Sequence, residues 1–536
     1  MSRQALLALV CIVFLGAIAL PLVAVMGFGL LAWSDLSALE AMAGSVLPVY
    51  LFNSLMLCLG ALLVAMLLGV APAWFLTQYQ FPGRAVLQWF PVLPMAIPAY
   101  VVAYALTDAL DYSGWLATAM RPAWGAMFGV DAFGRALWPE IRSLWGASVV
   151  LGLALSPYIY LLVRTAFEEG QGSLLDAGRS LGLSRREAFF RLAVPLARPA
   201  LVAGSALVVM ETLADYGTVA FFSVQTLSTG LFKTWFSYGD RNGAAFLGLI
   251  MLAFAVLLLS VERQSRGRAQ FGSVGARKLE RIELRGVALL WVPFMCSLSG
   301  LLGFFAPAAL LIKAASEAEA QANWVSLLTQ AAQTGLYGLY GLAIILPTAT
   351  VLAYGSRLWP GSWMAQAIRW ASSGYAVPGL VVAVGLLALS ALTTSAMAAW
   401  FDWRMTLTTT SALVLGGYLT RFFTVGFSSV ETSLSRIRTS LDWSARSLGL
   451  SVVQVLARLH LPMMRRGLFV AGLLVFVDIV KELPVTLVLR PMNVETLAVS
   501  AHHLAADERL ADAAWPSLAI ALVGLIPVML LGPRGR

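Results

Sequence analysis

The amino-acid sequence predicts an all-α polytopic membrane protein with about twelve transmembrane helices, arranged as two parallel six-helix repeats. Its 536 residues are 60% hydrophobic and only 12% charged, with a mean hydropathy of +0.82, which excludes an ordinary soluble domain. Apolar runs of about 20 residues or more recur along the chain and fit helices that cross a bilayer. A polar segment that occurs twice indicates a duplicated chain.

Twelve apolar segments are predicted to span the membrane, and the basic residues orient them. Placing Arg3 inside puts the basic segments 164–198, 263–285 and 421–466 in the cytoplasm, together with both termini. The first apolar run exceeds the ~7–15 residues of a signal-peptide core, so it is expected to remain as a span. The predicted spans lie near 5–33, 48–76, 86–109, 146–166, 198–222, 243–261, 287–313, 326–354, 364–394, 406–428, 467–490 and 514–532.

The two halves of the chain repeat each other. Residues 96–103 read AIPAYVVA and residues 376–383 read AVPGLVVA, at an offset of 280 (376 − 96). We therefore expect parallel repeats related by an axis along the membrane normal. The predicted organisation is a first half over 1–261, a Gly-, Ser- and charge-rich cytoplasmic linker over 262–286, and a second half over 287–536.

A loop over 110–145 is present only in the first half and is predicted to lie outside. It carries Trp115, Trp124 and Trp138, which are typical of an interfacial or short amphipathic segment. Two interpretations stay open, a lid on the membrane surface and a docking surface for an extracytoplasmic partner.

Composition excludes several classes of function. The net charge of +9 does not indicate nucleic-acid binding, because the basic residues cluster at the ends of apolar runs. The three cysteines lie in apolar runs and give no disulfide framework. The adjacent His502 and His503 lack the partners of a metal site, so no metal site is predicted. No G-x-x-x-x-G-K-[ST] sequence and no catalytic cluster occurs, so neither a bound cofactor nor enzyme activity is expected.

The polar segment that occurs twice comprises residues 173–201, the first copy, and residues 440–468, the second copy. The offset is 267 (440 − 173), and identical residues recur at Ser173, Leu174, Arg179, Ser180, Leu181, Gly182, Leu183, Ser184, Arg191, Leu192, Pro195, Arg198 and Leu201. A mere re-entry connection is one interpretation. Letter-for-letter repetition of six consecutive residues from Arg179 favours a docking surface that a two-fold partner binds twice.

Each copy is predicted to form a helix, a glycine break and a second helix. Gly182 and Gly449 suit the left-handed position that ends a helix. Ser184 and Ser451 each begin an S-x-x-E/Q capping box, completed by Glu187 in the first copy and by Gln454 in the second. Pro195 and Pro462 are expected to end the second helix, where the chain re-enters the membrane. His460 is expected to be a surface contact.

The copies resemble the EAA loop of ATP-binding cassette (ABC) importer permeases, in which a helical loop binds a cleft of the ATPase subunit. Asp176-Ala177-Gly178 precedes Gly182, and Trp443-Ser444-Ala445 precedes Gly449. The resemblance implies two ATPase-coupling loops, over 167–198 and 429–466. The coupling residues that it implies are Asp176, Ala177, Gly178, Arg179, Gly182, Ser184, Glu187, Pro195, Ser444, Ala445, Arg446, Gly449, Ser451, Gln454 and Pro462.

The chain is more closely similar to the fused, two-copy permeases of the ferric-iron importer group. The resemblance is carried by EtlaDYGTV from Glu211 and by DivKELPvTLvLRP from Asp478. It implies a type I, MetI-like permease fold in the bacterial inner membrane, with ferric iron as cargo. It also implies two ATPase subunits that use the ATP, a periplasmic substrate-binding protein, contact with membrane lipid and no nucleic acid.

Several alternatives to ferric iron import remain open. Thiamine, phosphonate or an oxyanion are other cargoes for the same mechanism. An ion-coupled secondary transporter can also have twelve helices in two parallel repeats, although it would need no paired coupling loops. A membrane enzyme lacks a recognisable catalytic cluster.

Paired acids mark the candidate translocation pathway. The offset of 267 aligns Glu211 with Asp478 and Asp215 with Glu482, so each half has two carboxylates on one helix face. One hypothesis is an oxygen-rich lining for a hard cation. The other is that Lys481 and Arg490 pair with these acids and hold helices together. The candidate pathway residues are Glu211, Asp215, Tyr216, Asp478, Lys481 and Glu482.

Overall fold

The computed structural model describes residues 3–31, 40, 42–131, 137–168, 182–266, 281–318, 323–372, 377–401, 408 and 410–531. Its helices are, in chain order, α1 (Arg3–Leu31), α2 (Leu47–Gln78), α3 (Arg84–Leu87), a 3₁₀ turn (Leu93–Ala96), α4 (Ala99–Leu110), α5 (Trp115–Phe128), α6 (Leu144–Glu168), α7 (Arg185–Ala188), a π-turn (Phe189–Ala193), α8 (Val194–Leu196), α9 (Arg198–Ala214), α10 (Gly217–Phe221), α11 (Leu227–Phe236), α12 (Arg241–Arg266), α13 (Ala288–Gly300), a π-turn (Leu301–Phe305), α14 (Ala306–Ala318), α15 (Trp324–Leu358), α16 (Trp363–Ala371), α17 (Gly379–Phe401), α18 (Ala412–Ser435), α19 (Thr439–Ser447), α20 (Val452–Val455), a π-turn (Leu456–His460), α21 (Leu461–Lys481), α22 (Pro484–Leu489), α23 (Leu497–Ala506) and α24 (Leu510–Leu531). Two short strands, β1 (Tyr79–Gln80) and β2 (Ile282–Glu283), pair in parallel.

The all-α membrane fold is confirmed, whereas the number of twelve spans stays a prediction. Among the described residues, nine helices are long and apolar enough to cross a membrane. A tenth span results if residues 189–196 and 198–214, which meet at a bend of 64°, are counted together. The predicted span near 86–109 is instead divided into α3, a 3₁₀ turn and α4. Its longest helix has 12 residues, fewer than the ~20 that a bilayer requires.

The chain divides into two compact units, each built from three stretches of sequence. The first-repeat unit comprises Ser45–Thr229, Phe254–Asn323 and Ser500–Arg536. The second-repeat unit comprises Met1–Gly44, Gly230–Ala253 and Trp324–Val499. Each unit draws residues from both sequence halves, and the boundaries at 261 and 287 stay a prediction. Residues 267–280 of the predicted linker lie outside the described residues.

In the first-repeat unit, α2 packs along α6, and α9 lies against both. The helix α13 contacts α2, while α14 and α24 pack together and against α4. A pair of buried hydroxyl groups connects α6 to α13. Ser156 of α6 and Ser299 of α13 lie within hydrogen-bond distance, with 3.1 Å between their oxygen atoms. Small polar side chains of this kind are common between packed helices in membranes.

In the second-repeat unit, α18 packs between α15 and α21, and α1 lies along α17. The core includes the fully buried rings of Tyr418, Phe423 and Phe427. Gly341 of α15 allows α21 to approach closely, since a Cβ atom at this position would lie 2.5 Å from Ile479 Cδ1. Small residues at helix contacts permit such close backbone packing.

The internal repeat extends to individual hydrogen bonds. Ser54 of α2 accepts a hydrogen bond from the backbone N–H of Leu227 at 2.9 Å. Thr334 of α15, at the offset of 280 (334 − 54), accepts one from Leu497, also at 2.9 Å. Both bonds satisfy the first turn of a helix, α11, which begins in the first-repeat unit, and α23, which begins in the second-repeat unit. The duplication predicted from sequence is therefore visible in the local structure of both units.

Candidate functional site

The second copy forms the predicted helix, glycine break and capped helix. After α19, Gly449 has a φ of 84°, and its N–H donates to the Arg446 carbonyl at 3.0 Å. The next N–H, of Leu450, donates to the Ala445 carbonyl at 3.2 Å, which completes a Schellman motif. Ser451 then caps α20 through a reciprocal capping box with Gln454. The local sequence rules for caps are sufficient to explain this turn.

The first copy is described from Gly182 onwards. Asp176, Ala177, Gly178 and Arg179 lie outside the described residues, so the degenerate EAA part of this copy stays a prediction. Gly182 has a φ of 85°, nearly that of Gly449. Ser184 and Glu187 form the same capping box, and the hydrogen bonds from Ser184 lower the pKa of the exposed Glu187 carboxyl.

Both copies continue into a π-turn, which the sequence does not predict. The turns cover Phe189–Ala193 and Leu456–His460, at the offset of 267 (456 − 189). In the second copy α21 continues past Pro462 to Lys481, so the expectation that this proline ends a helix was wrong; in the first copy α8 ends at Leu196, one residue after Pro195 and before the bend of 64°. Proline has no backbone N–H to donate, and in each copy the π-turn directly before it already departs from the hydrogen-bond pattern of an α-helix.

The second copy exposes apolar side chains around its glycine. Trp443 is 72% exposed and Leu448, directly before Gly449, is 84% exposed. Ser444 and Arg446 are also exposed on α19, while Ala445 is buried beneath them. Two large apolar side chains on a short polar helix favour a binding surface for another protein.

His460 is buried, so the expectation of a surface contact was wrong. Its Nε2 atom lies 2.7 Å from Asp442 Oδ1, and Arg357 Nε donates to Asp442 Oδ2 at 2.8 Å. The ring packs edge-on against Tyr354 at 5.2 Å. Burial lowers the pKa of His460 below its ordinary value of 6.5, and the neighbouring Asp442 carboxylate opposes that shift. We name Arg357, Asp442 and His460 the charged junction.

The equivalent π-turn of the first-repeat unit is held by aromatic packing. Phe189 lies 4.9 Å from the ring of Trp74, which in turn packs against Phe167 at 5.4 Å. At the offset of 267, Ala193 stands where the second copy has His460, and Leu175 where it has Asp442. From the glycine turn to the π-turn, the two copies therefore share a backbone conformation but not the contacts that hold it.

The aligned acids Asp215 and Glu482 lie at helix breaks. Asp215 follows the end of α9, and its carboxylate accepts the backbone N–H groups of Thr218 at 3.0 Å and Val219 at 3.2 Å. Glu482 follows α21 and accepts those of Val485 at 2.8 Å and Thr486 at 2.9 Å. Both carboxylates thus satisfy the first N–H groups of the next helix, which is essential where water is excluded.

The other candidate pathway residues lie next to these breaks. Glu211 and Asp478 are half-buried one turn before them, and Lys481 is the half-buried last residue of α21. Tyr216 is buried, with its ring 5.9 Å from that of His502. His502 Nδ1 lies 2.9 Å from the Tyr104 hydroxyl. Within the described residues, no three His, Cys, Asp or Glu side chains are grouped as a metal site.

Known proteins match the first half of the chain and, in one case, most of its length. Residues 62–263 match the family described as "Binding-protein-dependent transport system inner membrane component". The Fe(3+)-transport system permease protein FbpB 2 of Haemophilus influenzae is 23% identical over 488 residues, which cover 90% of this chain and 89% of that protein.

Two further relatives match a shorter region. The molybdenum transport system permease protein ModB of Escherichia coli is 29% identical over 220 residues, covering 39% of this chain and 90% of ModB. The sulfate transport system permease protein CysT of Escherichia coli is 28% identical over 213 residues, covering 38% of this chain and 72% of CysT. Nearly the whole of ModB thus corresponds to less than half of this chain, in agreement with two fused halves.

Proposed function

Because the chain belongs to the family of inner membrane components of binding-protein-dependent transport systems, we propose that it is the fused permease of a ferric-iron ABC importer. A periplasmic binding protein delivers the cargo, and two separate ATPase subunits drive alternating access. The observation that supports ferric iron as the cargo is the similarity to an Fe(3+)-transport permease over 90% of the chain. The chain itself performs no hydrolysis.

The two copies are proposed as the docking sites of the ATPase subunits, on the cytoplasmic side together with both chain termini. Their shared conformation supports this role, since Gly182 and Gly449 have φ values of 85° and 84° at one sequence offset. In the second copy, Trp443 and Leu448 provide exposed apolar surface for a partner cleft. A two-fold pair of ATPases would use each copy once.

The helix breaks are proposed as the parts of the pathway that move. The first copy leads through a π-turn, α8 and α9 to a carboxylate-capped break at Asp215, and the second copy leads through a π-turn and α21 to one at Glu482. Because these two carboxylates satisfy backbone N–H groups, we assign candidate contact with the cargo to Glu211 and Asp478, one turn earlier. Tyr216 and Lys481 flank the breaks and complete the candidate pathway residues.

An oxyanion is the second candidate cargo. The observation in its favour is the 29% identity to a molybdenum transport permease over most of that protein's length. The acidic residues near both breaks favour a cation instead.

Reconstitution tests the function and the cargo together. The chain is placed in liposomes with its ATPase and binding protein, and hydrolysis is measured with the binding protein unloaded or loaded with ferric iron, molybdate or thiamine. We expect ferric loading to stimulate hydrolysis and uptake. Stimulation only by binding protein loaded with molybdate or thiamine would overturn the assignment of ferric iron as cargo. Uptake independent of any ATPase would overturn the ABC mechanism in favour of a secondary transporter.

A further inference from the structure

The charged junction connects four elements of the second-repeat unit. Asp442 lies in α19, the helix that ends at the glycine turn of the second copy. Arg357, near the end of α15, donates from Nε to Asp442 at 2.8 Å and from Nη1 to the Leu434 carbonyl of α18 at 2.8 Å. His460, in the π-turn before α21, lies 2.7 Å from the other Asp442 oxygen. One carboxylate therefore links α19 to the ends of α15 and α21.

The junction is shielded from water although it lies close to the exposed face of α19. The side chains of Arg357 and Asp442 are 12% and 17% exposed, and that of His460 is fully buried. Tyr354 covers the histidine ring, and its hydroxyl donates to the Val452 carbonyl of α20 at 3.0 Å. Shielded ion pairs with hydrogen bonds keep a narrow geometry and lose it when one partner is removed.

The first-repeat unit holds its π-turn differently. Phe189 packs against Trp74, with 4.9 Å between the ring centroids. Aromatic packing is non-directional in comparison with charged hydrogen bonds and tolerates small displacements. Because Leu175 and Ala193 replace the acid and the histidine, the same acid–histidine contact cannot form at these two positions of the first copy.

We propose that Asp442 is the positioning residue that transmits movement of the second copy to α15 and α21, and that the first copy lacks this charged link. The inference rests on the proposed function, because it requires an ATPase that moves the copies. Movement of α19 would be carried through two directional contacts to both helices. The two copies would then contribute unequally to coupling, with the second copy as the more tightly connected one.

The test compares Asp442→Asn and His460→Ala with wild type in liposomes that contain the ATPase and the binding protein. The second variant introduces the residue that the first copy carries at this position. Glu317→Gln is the matched control, because it removes one carboxylate from an exposed pair with Lys313 in the other unit. Measured quantities are cargo transported per ATP hydrolysed, hydrolysis without binding protein, and co-purification of the ATPase.

We expect both junction variants to retain the ATPase and its basal hydrolysis but to transport about tenfold less cargo per ATP, a typical coupling strength between sites. Combining Asp442→Asn with His460→Ala should add little to the larger single effect, since both act on the same contact between Asp442 and His460. Glu317→Gln should match wild type.

Three results would overturn the inference. The first is that His460→Ala and Asp442→Asn both transport as much cargo per ATP hydrolysed as wild type. Another is loss of ATPase co-purification in both, which would make Asp442 a docking residue. The third is an additive double variant. A wild-type protein whose ATPase never responds to loaded binding protein would instead contradict the proposed function itself, so the two failures are distinguishable.

Discussion

Asp215 and Glu482, 267 positions apart in sequence, each follow the end of one helix and cap the next. Their backbone conformations are nearly the same, with ψ values of 131° and 125°. Each carboxylate accepts two consecutive backbone N–H groups. Capping alone explains why each break has an acid, with no need of a bound ligand. Experiment can separate this role from cargo binding.

Substitutions at Asp215 and Glu482 should distinguish capping from cargo binding. Removing a cap costs about 1 kcal/mol, so Asp215→Ala and Glu482→Ala should lower the melting temperature in detergent. Asp215→Asn and Glu482→Gln keep an acceptor oxygen and should melt closer to wild type, with uptake largely retained. Asn and Gln variants that melt like wild type but transport nothing would contradict the capping role and favour direct cargo contact.

The glycine turns should tolerate no side chain. Gly449→Ala and Gly182→Ala place an L-residue at positive φ, which costs about 1–2 kcal/mol although space around both positions is open. We expect reduced hydrolysis in response to loaded binding protein. Gly361→Ala is the matched control, because Gly361 has a φ of 78° in open space outside both copies. An equal loss of response in Gly361→Ala would mean that general strain, not docking geometry, is responsible.

The exposed surface of the second copy should bind an ATPase subunit. Replacing Leu448 by Asp puts a charge at the most exposed apolar position of α19 and its turn, where a partner would have to bury it. ATPase binding should weaken at least tenfold, in line with about 2 kcal/mol for a central interface residue. Met492→Asp, at a fully exposed position after α22, should leave ATPase binding unchanged. Equal affinity of both variants would exclude docking at Leu448.

Acidification should destabilise the second-repeat unit through His460. The groups that face it are Asp442, Arg357 and Tyr354. Because burial lowers the pKa of His460 below 6.5 in the folded protein, the unfolded chain takes up the proton first as the pH falls. The contribution of neutral His460 to the free energy of unfolding is therefore complete above about pH 6.5 and is lost progressively as the pH falls below that value. Melting temperatures between about pH 7.5 and 5.5 check this, and His460→Ala should show a smaller pH dependence.

The sequence was sufficient for features that depend on neighbouring residues. The capping boxes of Ser184 and Ser451 and the left-handed turns at Gly182 and Gly449 follow from spacing over a few positions. The charged junction could not be predicted, because Arg357 and Asp442 are 85 positions apart in sequence. Comparison of the two copies gave no indication of the junction either, since Ala193 and Leu175 occupy the equivalent positions in the first copy.

The helix breaks show a second reason why part of the structure could not be predicted from the sequence. The acids at Asp215 and Glu482 were expected on the face of a continuous helix, where i and i+4 carboxylates would lie together. The helix is instead interrupted at each acid, because its carboxylate satisfies the N–H groups that a break leaves without partners. An ionisable residue in an apolar segment therefore marks a helix break as well as a candidate site.

The composition of the two compact units has a consequence for biosynthesis. The helices α2, α6 and α9 of the first-repeat unit leave the ribosome before α15, α18 and α21 of the second-repeat unit, but α24, which packs on α4 and α14 in the first-repeat unit, is made after them. The first-repeat unit therefore cannot be complete until these helices of the other unit have been made, whereas most single domains fold as they emerge. Its early helices must wait in the bilayer with an unfilled face, where insertion factors or chaperones would have the longest time to act.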